Sequence, residues 1–246
     1  MNTIEDAIQA FLSSNNYPKF DLKAVLFDMD GVLYDSMPNH ANSWHTTMKS
    51  HGLDLSFEDA YLHEGRTGAD TIQIISRRQG IEVSDEQIKS IYKEKTERFK
   101  MLPEPERMPG SYELLQRVMN DGLIPMIVTG SGQVSLLDNL NASFPGIFLR
   151  ERMVTAFDVT CGKPNPEPYL KALEKGNLQP WEAIVIENAP LGIEAAHKAG
   201  LFIIAVNTGP LPDACLLDAG ANLLYPSLPT LNNEWEKIND TLHSTV

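Results

Sequence analysis

Apolar positions follow two alternating patterns along this chain. Six short runs, at 24–29, 125–129, 153–159, 183–187, 202–207 and 223–225, are apolar almost throughout and read as buried strands, the third being the weakest. Stretches of helical period separate most of them, at 111–121, 131–140, 167–176 and 192–199. Wholly apolar strands alternating with helices predict an α/β fold, a parallel sheet covered by helices on both faces. Ligands of such sheets gather at the carboxyl ends of the strands. Upstream, Ile4, Ala7, Ile8, Phe11 and Leu12 stand at helical spacing, so a short amphipathic helix is expected over 3–14 and is ended by Pro18.

Residues 36–106 break the alternation. They carry helical patterns at 40–52, 56–62, 69–80 and 85–101 and no convincing strand, and the Pro-rich stretch 102–110 punctuates the return. The expected organisation is an N-terminal helical extension (1–20), an α/β core (21–35 and 107–246) and an inserted α-helical cap (36–106). Such a cap would sit over the strand ends and could close on substrate. A helical face of one continuous domain is the alternative.

Composition narrows the function. The chain has 246 residues, 42% hydrophobic and 22% charged, which is ordinary for a globular protein. Its formal net charge of −13 argues against a nucleic-acid partner and an anionic membrane surface. An anionic substrate would then need a metal or local cations. Cys161 and Cys215 lack CxxC spacing and suit free thiols in a reducing compartment. No basic-then-apolar leader opens the chain, and no apolar stretch reaches ~18 residues. A cytoplasmic monomer is expected.

The chemistry concentrates at 28–32, where the first apolar run ends in DMDGV. Residues i and i+2 of a strand share a side, so Asp28 and Asp30 can address one site, and Gly31 lets the backbone turn away. Two carboxylates beside a hydrophobic strand call for a cation, and hard oxygen ligands favour Mg²⁺. Two solvated aspartates at a strand-end turn are the plain alternative. A second segment, 130–135 (GSGQVS), imitates a dinucleotide fingerprint but lacks the third glycine and sits mid-chain.

Four segments occur in an order that resembles the haloacid dehalogenase superfamily. They are 28–36 (DMDGVLYDS), 128–132 (VTGSG), 162–168 (GKPNPEP) and 184–193 (IVIENAPLGI). More narrowly, the chain is similar to the β-phosphoglucomutase-like group, with a Rossmann-like core and a helical cap inserted after the first motif. The resemblance covers the chain from about residue 22. It implies that Asp28 is a nucleophile forming an aspartyl phosphate and Asp30 its general acid–base partner. Thr129 with the N–H groups of Gly130 and Ser131 would cradle phosphate at a helix start, and Lys163 would hold nucleophile and phosphate together. Glu187 and Asn188, with Asp28 and Asp30, would ligate Mg²⁺. His40, beside Trp44 on the first cap helix, would orient Asp30. By themselves, a strand-end Thr is usually a helix cap and a lone Lys a surface residue; order and spacing give them value.

Two departures from the group's pattern bear on the reaction. Many relatives have Glu-Asp where this chain has Glu187-Asn188, which removes a negative charge from the metal motif. In the cap, 63–72 (HEGRTGADTI) replaces the lysine and arginine that grip the second phosphate of a sugar substrate with Glu64 and Gly68. An acidic residue facing a second phosphate needs a metal between them. Glu64 is therefore expected to reach the Mg²⁺ region on cap closure and restore the charge missing at Asn188, with Arg66 and Thr67 on the substrate. Helix capping by Glu64, or pairing with Arg66, is the structural alternative. This pattern resembles an inorganic pyrophosphatase branch of the group. A Mg²⁺-dependent phosphohydrolase of a small compact phosphate is expected, with a sugar phosphate mutase or a broad small-molecule phosphatase as alternatives. A non-catalytic phosphate-binding module would have lost the Asp pair, and a dehalogenase would need neither Asp30 nor Mg²⁺.

Overall fold

The computed structural model describes residues 3–132 and 136–244. Six strands form one sheet: β1 Ala24–Phe27, β2 Ile124–Val128, β3 Met153–Val154, β4 Ala183–Glu187, β5 Phe202–Val206 and β6 Leu223–Tyr225. Their order is β3-β2-β1-β4-β5-β6 and every pairing is parallel. The register sets Phe27 beside both Ile127 and Ile186. One residue further on, the carboxyl ends of β1, β2 and β4 lie abreast, and they deliver Asp28, Thr129 and the Glu187-Asn188 pair to one rim.

Alternation along each strand divides the apolar residues between two cores. Val25, Phe27, Ile127, Ile184 and Ile186 face one side, packed by helices α1 (Ile4–Asn15), α6 (Ser111–Asn120) and α11 (Leu228–Ser244). Leu26, Met126, Val128, Val185 and Ile203 face the other, against α8 (Glu167–Gly176), α9 (Pro190–Lys198) and α10 (Asp213–Asp218). Burying each such side chain is worth roughly 1.5–3 kcal/mol, which makes the sheet a rigid platform. Helix α1 begins at a Thr3–Asp6 capping box and seats Phe11 against the rings of Phe20 and Phe202. It therefore belongs to the core layer and is not an appended extension.

β3 is much shorter than the expected run 153–159. After Val154 the Asp158 carboxylate accepts hydrogen bonds from the N–H and hydroxyl of Thr155, which curls the chain out of the sheet. The helix expected at 131–140 is α7, Leu136–Ser143; positions 133–135, part of that helix and of the nucleotide-like run 130–135, lie outside the described residues.

Four helices make up the insertion: α2 Met37–Ser50, α3 Phe57–Leu62, α4 Gly68–Arg78 and α5 Asp85–Lys100. They bury a separate core that includes Met48, Leu53, Leu55, Ile72, Ile75 and Ile91. Two linkers join it to the sheet and are laced together. The N–H of Asp35 donates to the Glu106 carbonyl at 2.9 Å, and that of Met108 donates to the Leu33 carbonyl at 2.9 Å. No helix among the described residues is long and apolar enough to cross a membrane.

Candidate active site

Lys163 is the hub of the strand-end rim. It leaves the loop between β3 and α8, is 3% exposed, and its Nζ bonds Asp28 Oδ1 and, at 2.7 Å, Glu187 Oε1. A buried ammonium survives only between paired charges. Burial works to lower its pKa, but the Asp28 and Glu187 carboxylates outweigh that and hold Lys163 well above the ordinary lysine range. Asp28 itself is pushed up to about 8 by burial and by the negative charge of Glu187 and Asp30, despite Lys163. One lysine does not balance the acids gathered here.

Glu187, expected among the metal ligands, is the lysine's other partner. Its side chain is fully buried and accepts from Lys163, from the Tyr169 hydroxyl at 3.2 Å, and from the N–H groups of Asn188 (2.8 Å) and Ala189 (2.9 Å). Four donors occupy its two oxygens, and it anchors Lys163. Helix α9 passes so close that a Cβ at Gly192 would overlap Glu187 Oε1.

Asp30 lines the same cavity as Asp28 but has partners of its own. Gly31, at φ +79°, turns the chain in a conformation that favours glycine, and its N–H closes the turn onto the Tyr34 carbonyl at 2.8 Å. Asp30 Oδ1 then accepts from the Ser36 hydroxyl at 2.5 Å and lies 3.3 Å from His40 Nε2. His40 stacks on Phe99 at 4.2 Å, and Lys95 Nζ lies 2.7 Å from its Nδ1. With Lys95 donating to Nδ1, His40 stays neutral and donates from Nε2 to the carboxylate. Burial alone would raise the Asp30 pKa, but His40, Ser36 and Lys95 hold it at about 2. Asp30 is thus an ionised base with one oxygen engaged, which removes that oxygen from the expected metal set.

The cap loop closes the rim from above. Asn188 Nδ2 donates to both Glu64 oxygens at 3.3 Å, and Gly65 packs so tightly on the Lys163 stem that a Cβ there would lie 2.8 Å from its Cδ. Burial raises Glu64 well above the ordinary glutamate range, and Asp28, Glu187 and Asp30 add to the effect. Glu64 neither caps α4 nor pairs with Arg66. Arg66 Nε donates to His63 Nδ1 at 3.2 Å, on the wall of a cavity of about 200 Å³ that also meets Asp28, Asp30 and Lys95. The Thr67 hydroxyl accepts from Asp70 N–H and donates to the Asp70 carboxylate, capping α4, and the residue lines a small cavity with Thr129, Gly130 and Lys163. The expected phosphate cradle is altered. Gly130 and Ser131 line the cavity, but the Ser131 N–H is turned onto Thr129 Oγ1 at 3.0 Å.

A buried aspartate bridged by a lysine to a buried glutamate, with a second aspartate two residues on, all on one parallel-sheet rim, fits a known family. The chain matches the model of haloacid dehalogenase-like hydrolases over residues 25–206. It belongs to that family. This hydrolase is 32% identical over 222 residues to the phosphorylated carbohydrates phosphatase of Thermotoga maritima, covering 86% of this chain and 97% of the relative. It is 30% identical over 185 residues to hexitol phosphatase A of Escherichia coli, covering 75% and 83%. A solved structure from Bacteroides vulgatus, described as a candidate β-phosphoglucomutase, is 59% identical with a TM-score of 0.94, covering 97% and 98%. The hydrolase is accordingly an enzyme of the phosphatase and phosphomutase part of the family.

Among the described residues, no three His, Cys, Asp or Glu side chains surround one point in ligating geometry. The donors that fit a hard cation are a mixed set. Asn188 Oδ1 is buried without a partner, and Glu64, which feels the charge of Asp28, meets only an amide at 3.3 Å. An orphaned oxygen among carboxylates in charge excess suits Mg²⁺. Asp28, Asn188 and Glu64 of the hydrolase could hold it.

Sequence reasoning missed Lys95, Tyr169, Ser36 and Gly192. A lysine on a helix reads as solvated, yet Lys95 is 6% exposed, with Nζ 5.2 Å from the ring centroids of Trp44 and Phe99. The aromatic positions 44 and 99 on facing helices were its one available signal.

Proposed function

We propose that this hydrolase is a Mg²⁺-dependent phosphohydrolase whose preferred substrate is inorganic pyrophosphate. The observation that carries the reading is Glu64 seated over Asn188, on the wall of the cavity that meets Asp28 and Asp30. A sugar bisphosphate needs cations at that place, whereas a compact metal-bound phosphate tolerates a carboxylate. Asp28 attacks phosphorus, the bond to the leaving phosphate breaks, and an aspartyl phosphate forms. Lys163 holds the carboxylate and the phosphoryl oxygens together. In the second step Asp30 takes a proton from water, whose oxygen attacks phosphorus and releases phosphate and the Asp28 carboxylate. Bound Mg²⁺ supplies charge stabilisation on the phosphoryl oxygens.

A broad sugar phosphate phosphatase is the second reading. Its support is the likeness to the carbohydrate and hexitol phosphatases. Phosphate release from pyrophosphate and from a panel of sugar phosphates, with Asp28→Asn as blank, separates the two. Pyrophosphate should give the highest kcat/KM. A coupled assay converting β-glucose 1-phosphate to glucose 6-phosphate tests the mutase alternative, and mutase turnover far above phosphate release would overturn the proposal.

A further inference from the structure

A second cavity, of about 360 Å³, lies on the hinge side of Asp30. It shares Asp30, His40, Phe99 and Ser131 with the substrate cavity. Its outer wall is formed by the returning linker at Leu102 and by Ala142 and Ser143 of α7. The cap loop meets the core at Lys163 and Asn188, yet the Asp30 side chain keeps 21% exposure against 7% for Asp28. Ser36, Lys100, Asn139 and Ser143 bring hydrogen-bonding groups to the cavity wall, as a water-filled passage requires.

We propose that this cavity is the inlet for the water that hydrolyses the aspartyl phosphate, so that the second half-reaction proceeds with the cap closed. Water passing along it meets Asp30 before it meets the phosphoryl group. Asp30 accepts a proton, the water oxygen bonds to phosphorus, and the bond from phosphorus to Asp28 oxygen breaks. The inlet rests on the reading of Asp28 as nucleophile.

Rapid acid-quench kinetics with a labelled acetyl phosphate donor separate the steps and do not depend on pyrophosphate being the substrate. Ala142→Phe and Ser143→Leu fill the cavity from its outer wall and touch none of the catalytic groups. Each should slow hydrolysis of the phosphoenzyme by about tenfold and raise its steady-state level, while phosphorylation stays within about twofold. Leu102→Ala, which widens the passage, should not slow hydrolysis. Unchanged phosphoenzyme hydrolysis in whichever filled variants fold overturns the inlet and leaves the nucleophile standing. No phosphoenzyme in the wild type overturns the functional reading itself.

Discussion

Glu64 and Asn188 lie 124 positions apart, yet the asparagine Nδ2 stands 3.3 Å from each glutamate oxygen, joining cap to core beside Asp28. The contact leaves Asn188 Oδ1 without a partner and the half-buried Glu64 carboxylate with only a weak one. If this pair completes a Mg²⁺ site, Glu64→Ala should raise the half-saturating Mg²⁺ concentration by about tenfold or more, a loss of roughly 1.4 kcal/mol. Asn188→Asp should lower it. A titration of activity against Mg²⁺ decides, and curves that superimpose on wild type sink the assignment.

Lys163 supports the fold as well as the chemistry. Lys163→Met leaves Asp28 and Glu187 buried without their counter-ion. Stability should fall by about 3–5 kcal/mol at neutral pH, with activity lost. Urea denaturation measures the first effect. A loss under about 1 kcal/mol would mean that the carboxylates are paired elsewhere.

The core was largely legible in the sequence because wholly buried parallel strands carry an unmistakable apolar signature, as 24–29 and 202–207 show. β3 was overestimated because Thr155 and Asp158 close a turn that local hydrophobicity conceals. At the site, Asp28 and Lys163 could be read from motif order. Glu187 also accepts from Tyr169 and two local N–H groups, and only the folded backbone reveals that. The helix-capping pair of Thr67 with Asp70 was not read from the sequence, where the loop around it drew attention as a ligand contact.

Lys95 predicts a pH signature. Burial lowers its pKa from 10.5 to about 8, against the pull of Asp30. Between those values the unfolded chain binds more protons at this residue than the folded one, so its contribution to stability rises with pH from about 8 to 10.5. Below about 8 the full cost of burying the ammonium is present. The stability difference between wild type and Lys95→Met should therefore change in favour of wild type across that window. A pH-independent difference would show that Lys95 titrates as an ordinary lysine.

Gly192 is predicted to be intolerant although it lies on α9 and bears no chemistry. A Cβ there would overlap Glu187 Oε1. Gly192→Ala should displace the lysine anchor and destabilise the fold by about 1–3 kcal/mol. Activity should fall by more than stability alone explains. Full activity in the purified, folded variant would show that the Glu187 anchor is dispensable.

The proposed chemistry requires that Asp28 carries the phosphoryl group. It is tested most directly by acid-quenching a reaction with a radiolabelled phosphoryl donor and mapping the labelled peptide. Hydroxylamine-labile label is expected on the peptide containing Asp28, confined to that aspartate by fragmentation and missing from Asp28→Asn. Steady turnover with no label trapped on the chain, or label on any other residue, would contradict it.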